Sequence, residues 1–293
     1  MKVLKVLLAL LTTLAVALTA ALLLTAAGCG QQTVPESPSP SPVVETAAAD
    51  KNDLTVVRSM ELQYANNFAV DYCANGCKII TDGAGQKFLW VPEGGEAPDD
   101  TGDMTVLQAP LTKLGCFSTT HATLFHAIGA LDKVSLVTTD KDKWHIEQVA
   151  QQIEDGTTTY VGKNSAPDYE LISAAAPQII LISANTMHGS DEVLAKLDEL
   201  GIPYIADSQH LENHPLGRVE WVKLVGALLD MEEEADAYFD EEVQRVNAVA
   251  ESVAGESEHP TILQTYIFKG TVYVRNGGDY VNKMLELAGG TYP

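Results

Sequence analysis

The sequence predicts an α/β fold in which helices cover both faces of a parallel sheet. Between residues 113 and 206, short apolar strands alternate with helical segments, the order typical of such sheets. Residues 178–183 read as a continuous apolar strand, as expected for a strand buried on both faces. A third observation is a long helix with apolar residues every three or four positions from Ala235 to Val253. A helix of that length either bridges two lobes or packs against one sheet.

The first 29 residues have the layout of a secretory signal. Lys2 and Lys5 precede an apolar run from Val6 to Leu24, and small residues then lead to Cys29. The Ala-Ala-Gly-Cys order resembles a bacterial lipobox, which implies that Cys29 carries lipid and that the protein is anchored outside the cytoplasm. The alternative is an uncleaved transmembrane helix, which also places the rest of the chain outside.

A stalk and a β-rich segment follow the signal. Residues 30–52 are rich in Pro, Ser, Thr and Ala, which predicts a disordered stalk. Residues 53–110 have strand-like patterns and two turn signals, so we expect a β-hairpin extension. The first turn is an Asn-Gly pair between Cys73 and Cys77, which would place the two cysteines opposite each other. Because an exported chain permits a disulfide, we expect a bond between them.

Residues 111–214 carry the alternation that predicts the first α/β lobe. We expect strands at 113–118, 134–138, 178–183 and 203–206, with a short extended segment at 160–161. We expect helices at 122–128, 145–154, 167–174 and 192–200. Thr119 or Thr120 would cap the first helix, Gly129 would end it, and Pro167 suits the start of the third. Cys116 lies in an apolar run and predicts a buried thiol.

Residues 215–255 predict the long helical segment, with helices at 218–229 and 235–253. Residues 256–293 return to a strand–helix order. We expect strands at 261–268 and 271–274 around a Lys-Gly turn, and a final helix at 279–288.

The charge of the chain excludes one class of partner. Lys2 and Lys5 belong to the signal, which leaves 16 Lys and Arg against 40 Asp and Glu, a net charge of −24 for the exported part. Nucleic acid requires a basic surface, so we expect no nucleic-acid partner. Broad contact with anionic lipid is also disfavoured, so the lipid anchor would be the sole membrane contact.

Four ordered motifs carry a resemblance to a known family. They are the run from Gly162 to Glu170, Pro177 to Leu181, Leu200 to Tyr204, and His214 to Trp221. From Lys113 to Gly290 the chain resembles the substrate-binding lipoproteins of ABC importers for ferric siderophores, haem and cobalamin. The resemblance implies two Rossmann-like α/β lobes that are joined by one long helix and hold the ligand in the cleft between them.

The resemblance also implies an incomplete second lobe. In the family, several more strands and helices follow the segment that matches residues 280–290. We therefore expect residues 256–293 to be the start of a C-terminally truncated second lobe, with an exposed sheet edge.

Candidate ligand contacts come from the ends of the predicted strands, because ligands of parallel α/β sheets bind beyond the carboxyl ends of the strands. Hydroxyl groups and free helix N–H groups suit an anionic group, Trp144 would stack on a flat macrocycle, and a histidine could ligate iron or cobalt. The alternatives are helix caps for the threonines, packing within its helix for His121, and a core position for Trp144. The candidates are Thr119, Thr120, His121, Trp144, His188 and His210.

Glu170 is a candidate for contact with the permease. In the resembling family, a surface glutamate at this motif position meets an arginine of the permease, and such a pair is directional. The alternative is an ordinary solvated charge on a helix. The matching position of the second lobe is Lys283 in this chain, and Glu286 is a possible substitute.

The leading functional hypothesis is a binding protein without catalysis and without a cofactor of its own, which would capture an iron chelate or corrinoid and deliver it to an ABC permease. The chain has four arginines, which favours a ligand of low charge. An alternative is a zinc or manganese carrier, with His121, His145, His188 and His210 as candidate ligands. A secreted hydrolase is a third possibility, although the sequence contains no Gly-x-Ser-x-Gly, His-Glu-x-x-His or Gly-rich phosphate motif.

Overall fold

The computed structural model describes residues 50–183 and 190–293. The predicted signal, Cys29, most of the predicted stalk and His188 lie outside the described residues. The predicted stalk boundary at residue 52 falls inside the folded part, since Lys51 Nζ donates to Asp99 Oδ1 at 2.6 Å and Asn52 donates to the same carboxylate. Lys51 and Asn52 therefore belong to the folded part and not to the stalk.

The N-terminal part is a five-stranded sheet, with its strands paired in chain order. The first four strands are antiparallel, and the fifth pairs parallel to the fourth. Both predicted hairpins are confirmed, but the segment is a complete sheet rather than a hairpin extension. The strands are β1 (Val56–Ser59), β2 (Ala69–Cys73), β3 (Lys78–Thr81), β4 (Lys87–Val91) and β5 (Thr105–Gln108).

The second sheet is the predicted parallel one. Its strand order is β12-β11-β6-β7-β8, and every pair is parallel. A small antiparallel pair, β9 (Gly162–Lys163) and β10 (Ala166–Pro167), follows β8. The strands of the sheet are β6 (Leu114–Cys116), β7 (Val134–Val137), β8 (Thr159–Tyr160), β11 (Ile179–Ile182) and β12 (Tyr204–Ala206).

Helices cover both faces of this sheet, as predicted. Along β11, Ile179 and Leu181 belong to one apolar cluster while Ile180 and Ile182 belong to another, so both faces of the strand are buried. The helices of this part are α1 (Thr119–Ala127), α2 (Glu147–Asp155), α3 (Tyr169–Ala175) and α4 (Ser190–Glu199).

Two helix starts differ from the prediction. Ser118, not Thr119 or Thr120, caps α1, since its Oγ accepts from the N–H of Thr120 at 3.2 Å. Asp168 caps α3 by accepting from two backbone N–H groups, while Pro167 lies in β10. The predicted stop at Gly129 is confirmed by its left-handed φ of 73°.

Three helices follow the second sheet. They are α5 (Pro215–Glu220), α6 (Val222–Leu229) and α7 (Glu232–Val253). The ring of His214 caps α5 by accepting from the N–H of Leu216 at 3.1 Å, and Pro215 occupies the first helical position. Every residue of α6 from Val222 to Leu228 is buried, because this helix lies within the core that it shares with the N-terminal sheet.

The C-terminal part contains one antiparallel strand pair, β13 (Thr265–Phe268) and β14 (Thr271–Val274), and α8 (Tyr280–Leu287). Every residue of both strands is exposed. The predicted first strand began four residues too early, since Thr261 forms only an isolated bridge with Thr291. Within the described ranges, none of the helices combines the length and the apolar character needed to cross a bilayer.

Two buried carboxylates join the N-terminal sheet to the helical segment. Both oxygens of Glu220 accept from the consecutive N–H groups of residues 63–65, each at 2.8 Å. Glu212 accepts from the N–H groups of Asn66 and Asn67 and from the indole Nε1 of Trp221. Glu212 is 2% exposed and Glu220 is 0% exposed. We call residues 63–67, Glu212 and Glu220 the carboxylate clamp.

A lysine and a tryptophan of the N-terminal sheet bind the end of α6. Lys78 is buried, and its Nζ donates to the carbonyl of Ala227 at 3.0 Å and to Asp230 at 2.9 Å. The indole Nε1 of Trp90 donates to the carbonyl of Leu228 at 2.9 Å. A cation at a helix C-terminus opposes the negative end of the helix dipole, so this contact stabilises α6.

The turn between β3 and β4 contacts the end of β12. Asp82 accepts from the N–H of Ala206 at 2.8 Å, and Gly83 donates to the carbonyl of the same residue at 3.0 Å. A Cβ at position 83 would lie 2.2 Å from Ser208 Oγ, so glycine is needed for this close approach. Burial raises the pKa of Asp82, and four backbone hydrogen bonds partly oppose that effect.

We predict that Glu220→Ala lowers the free energy of unfolding by about 3 kcal/mol or more, because three backbone donors would lose their acceptor in a buried site. Guanidinium unfolding measures the change. The exposed Glu251→Ala is the matched control and should shift the free energy by no more than about 0.5 kcal/mol. Equal effects of the two substitutions would contradict a role for the clamp.

Candidate ligand-binding site

A cavity lies at the carboxyl ends of β6, β7 and β8, where the fold rule places ligands. Its volume is about 260 Å³. We call it the rim pocket. The polar residues that line it are Ser118, Thr119, Thr138, Thr139, Asp140, Lys143, Tyr160, Lys163 and Asn164.

The rim pocket offers hydroxyl groups, an amide and two ammonium groups against one carboxylate, Asp140. Lys143 and Lys163 are exposed, and within the part of the chain that the structure describes neither forms an ion pair. Two unpaired lysines at one pocket are notable in a chain with a net charge of −22. The arrangement suits a ligand that carries anionic or hydrogen-bond-accepting oxygens.

A larger crevice of about 530 Å³ lies elsewhere, between the β3–β4 turn and Tyr204. It borders the amino end of β12 rather than the carboxyl ends of the parallel strands. The strand-end rule therefore favours the rim pocket as the ligand site, although it is the smaller cavity.

The predicted contacts separate into exposed and buried groups. Thr119 lines the rim pocket, and Thr120 is exposed on the same first turn of α1. Trp144 is half-buried against the main core, and its Nε1 donates to the carbonyl of Thr139 at 3.0 Å. Trp144 thus fixes the loop after β7 and does not line the pocket. His188 lies outside the described residues.

His121 is fully buried beneath the strand ends, so it does not line the rim pocket either. Its Nε2 lies 3.1 Å from Ser183 Oγ and 3.6 Å from Asp207 Oδ2. Burial lowers the pKa of His121, and the nearby Asp207 carboxylate acts to raise it. The ring faces Ser183 and Asp207 instead of the cavity, which favours the alternative of packing under the rim over direct ligand contact.

His210 lies on the loop after β12, apart from the rim pocket. Arg218 Nη2 donates to the carbonyl of His210 at 2.5 Å, and the Arg218 guanidinium stacks 3.4 Å from the centroid of the Tyr280 ring. Burial lowers the pKa of His210. The loop is thus held in place by Arg218, which also contacts the C-terminal helix α8.

The contacts of Ser183 and Asp207 with His121 differ from those of a hydrolase triad. In such a triad the serine and the carboxylate contact different nitrogens of the ring, so that one nitrogen takes the proton while the other is oriented. Here Ser183 and Asp207 both face Nε2. The carboxylate therefore does not orient the ring through its other nitrogen, as it would in a triad.

A metal site also finds no support in the geometry. Across residues 50–183 and 190–293, no three His, Cys, Asp or Glu side chains converge in a way that could hold a metal ion. Of the four histidines considered as zinc or manganese ligands, His145 is exposed and His121 is committed to Ser183.

Several pocket residues, among them Lys143, Tyr160, Lys163 and Asn164, were missed by the sequence analysis. Tyr160 ends β8, which has only two residues and pairs parallel to β7. The sequence predicts residues 160–161 as a short extended segment, and the candidate contacts include no residue from its carboxyl end. Counting it would have selected residues 161–164 by the same rule that selected Thr119.

The model of one protein family, described as periplasmic binding protein, matches residues 116–292, more than half of the sequence. The chain belongs to the periplasmic binding protein family. The match begins inside β6, so the N-terminal sheet precedes the part that the family model covers.

Two curated relatives of this periplasmic binding protein are uncharacterised lipoproteins of Methanocaldococcus jannaschii. One is 34% identical over 175 residues, which are 56% of this chain and 41% of the relative. The other is 23% identical over 209 residues, which are 69% of this chain and 52% of the relative. The chain thus spans about half the length of the curated relatives it matches.

Solved structures share the fold. A possible iron-binding periplasmic solute-binding protein from Staphylococcus epidermidis aligns with a TM-score of 0.51 at 17% identity, covering 62% of this chain and 66% of that one. A periplasmic haem-binding protein of Vibrio cholerae aligns with a TM-score of 0.51 at 15% identity. The alignment covers 63% of this chain and 66% of that one. At these identities the likeness establishes the fold, which confirms the predicted α/β architecture.

We predict that stability falls as the pH is lowered from 7 to about 5.5. Burial lowers the pKa of His121, His210 and His214 in the folded protein below the usual 6.5. Below pH 6.5 the unfolded chain therefore binds protons that the folded chain does not, and the free energy of unfolding decreases. Each such histidine contributes at most about 1.4 kcal/mol per pH unit.

Urea unfolding at a series of pH values tests this dependence. His121→Gln should make the slope shallower, because glutamine binds no proton in either the folded or the unfolded state. The exposed His145→Gln is the control and should keep the slope of the unsubstituted protein. A slope that His121→Gln leaves unchanged would show that this ring does not contribute.

Proposed function

We propose that this protein is the extracytoplasmic solute-binding component of an ABC importer, which captures an iron chelate, either a siderophore or haem, or a corrinoid. The observation that carries the proposal is the rim pocket, a polar cavity at the strand ends of a periplasmic binding protein. Two structural neighbours support this class of ligand, since one is a possible iron-binding protein and the other is a haem-binding protein.

The pocket chemistry favours a chelate with anionic or acceptor oxygens. The sequence contains few arginines, which pointed to a ligand of low charge. Lys143 and Lys163 supply the positive charge instead, beside the hydroxyls of Ser118, Thr119 and Thr139. A carboxylate or catecholate group of a chelate would accept from these donors. The pocket is smaller than most whole ligand sites, so it would form one wall of the site.

The protein would act by binding alone. Among the described residues, the polar groups of the rim pocket include no nucleophile paired with a base, and Asp207 lies beside the same nitrogen of His121 that faces Ser183, unlike the carboxylate of a triad. Attachment to the membrane through Cys29 is supported by the lipoprotein relatives and by the signal layout. That anchor would hold the protein close to its permease.

We predict that Lys163→Glu weakens binding of an anionic ferric siderophore or of haem by at least about tenfold, because a charge reversal in the pocket repels the ligand. Titration followed by tryptophan fluorescence measures the affinity, with ferric siderophores, haem and cobalamin as the panel. Lys133→Glu is the matched control, since Lys133 precedes β7 at the opposite end of the strand. Equal loss in both variants would contradict a ligand contact at Lys163.

Glu170 is the residue proposed to contact the permease. It is exposed in the first turn of α3, and the carboxylate of Asp168 holds that turn by accepting from the N–H of Glu170 at 3.0 Å. A carboxylate on a rigid, exposed turn suits a directional pair with a permease arginine.

We predict that Glu170→Ala retains ligand affinity but lowers the ligand-stimulated ATP hydrolysis of the cognate permease in proteoliposomes by about tenfold, the loss expected for one charge-assisted pair. Glu147→Ala removes an exposed glutamate from the first turn of α2 and should keep the full stimulation. Unchanged stimulation by the Glu170 variant would rule out this docking contact.

A further inference from the structure

We propose that Cys73 and Cys77 form an intramolecular disulfide when the chain meets a small-molecule disulfide such as oxidised glutathione, while Cys116 remains a thiol. Among the described residues the three cysteines are free and buried, and the bond expected from the sequence stays a prediction. What the structure adds is the geometry of the pair and the separation of the third cysteine from it.

The two cysteines face each other across the turn between β2 and β3. The register pairs Tyr72 with Lys78, so the next pair along the hairpin is Cys73 with Cys77. The N–H of Cys73 donates to the carbonyl of Cys77 at 2.8 Å. Residues that lie directly opposite each other in antiparallel sheets have Cα atoms about 4.5–5.5 Å apart, within the roughly 4.4–6.8 Å range of disulfides.

Both thiols also lie on the same face of the hairpin. Cys73 and Cys77 belong to one small apolar cluster, together with Leu89 and Val91 of β4. They are 5% and 2% exposed. Residues opposite each other in an antiparallel pair point to the same face of the sheet. The side chains of Cys73 and Cys77 therefore lie on one face of the hairpin.

The turn that connects them is fixed by its own hydrogen bonds. Asn75 Oδ1 accepts from the N–H of Cys77 at 3.0 Å, and Asn75 Nδ2 donates to the carbonyl of Lys51 at 2.7 Å. Gly76 adopts a φ of 84°, which glycine tolerates. The cysteines are therefore held opposite each other whether or not they are bonded.

Cys116 is placed where it has no access to this pair. It lies in β6, the central strand of the parallel sheet, and is 1% exposed. Cys73 and Cys77 belong to the other sheet and to a different apolar cluster. Bond formation should therefore be restricted to one of the three possible pairs.

The reaction is a pair of thiol–disulfide exchanges. The thiolate of one cysteine attacks oxidised glutathione, which forms a mixed disulfide and releases one glutathione thiol. The second cysteine then attacks the protein sulfur of the mixed disulfide, which closes the Cys73–Cys77 bond and releases the second glutathione thiol. The two protein thiols are oxidised, and one oxidised glutathione is reduced to two thiols.

Burial determines when this exchange occurs. Burial raises the pKa of the Cys73 thiol and of the Cys77 thiol, which lowers the fraction of reactive thiolate in the folded state. The same burial blocks the approach of glutathione. The bond should therefore form while the chain folds after export and not after folding is complete.

Peptide mass mapping of the full chain tests the proposal. The reduced protein is refolded from guanidinium chloride with oxidised glutathione, alkylated with N-ethylmaleimide, and digested with trypsin. Cleavage after Arg58 and Lys78 releases residues 59–78, which carry both cysteines, and cleavage after Lys113 and Lys133 releases residues 114–133 with Cys116. We expect peptide 59–78 to be lighter by two hydrogens and unalkylated, and peptide 114–133 to carry one alkyl group.

Several outcomes would overturn the proposal. Peptide 59–78 could carry two alkyl groups, or it could be bonded to the peptide that contains Cys116 or Cys29. Cys116→Ala should leave the loss of two hydrogens unchanged, while Cys77→Ala should abolish it. Loss of the bond in the Cys116→Ala variant would contradict the assignment.

The timing is tested with the same peptides. Folded, reduced protein exposed to oxidised glutathione should form the bond at least tenfold more slowly than protein in guanidinium chloride. Equal rates in the two conditions would show that burial does not control the reaction.

Discussion

The fold depends on two buried carboxylates that accept from five consecutive backbone N–H groups. Glu220 takes those of residues 63–65, and Glu212 takes those of residues 66 and 67. A buried charge is costly unless its oxygens are fully paired, and a buried N–H without an acceptor is costly too. The hydrogen bonds between the carboxylates and the N–H groups offset the desolvation cost of both. The segment before β2 is therefore held at the start of the helical segment.

This clamp joins the N-terminal sheet to the lobe that contains the parallel sheet. Glu212 lies on the loop that follows β12, and Asp82 binds the last residue of that strand from the other side. Lys78 and Trp90 bind the end of α6. The N-terminal sheet thus contacts the strand ends and the helices that the periplasmic binding protein family shares, although it precedes the family match.

Much of this architecture was predictable because its signals are local. Both N-terminal hairpins follow from turn residues between strand-like runs, and the parallel sheet follows from alternation with helices. Helix caps were harder to assign. Ser118, Thr119 and Thr120 all carry a hydroxyl, and the cap is the one whose backbone is extended, with φ of −147° and ψ of 151° at Ser118. That conformation is set by the preceding strand.

The sequence by itself determined the order of strands and helices, the turns and the edge of the sheet at which the strand-end residues lie. Only the tertiary structure decided which side chains at that edge face the cavity. His121 turns inward because Ser183, 62 residues later, and Asp207 arrive beside it on neighbouring strands. Lys163 reaches the pocket because a two-residue strand joins the sheet. Such neighbours are distant in sequence, so local periodicity and turn residues cannot predict them.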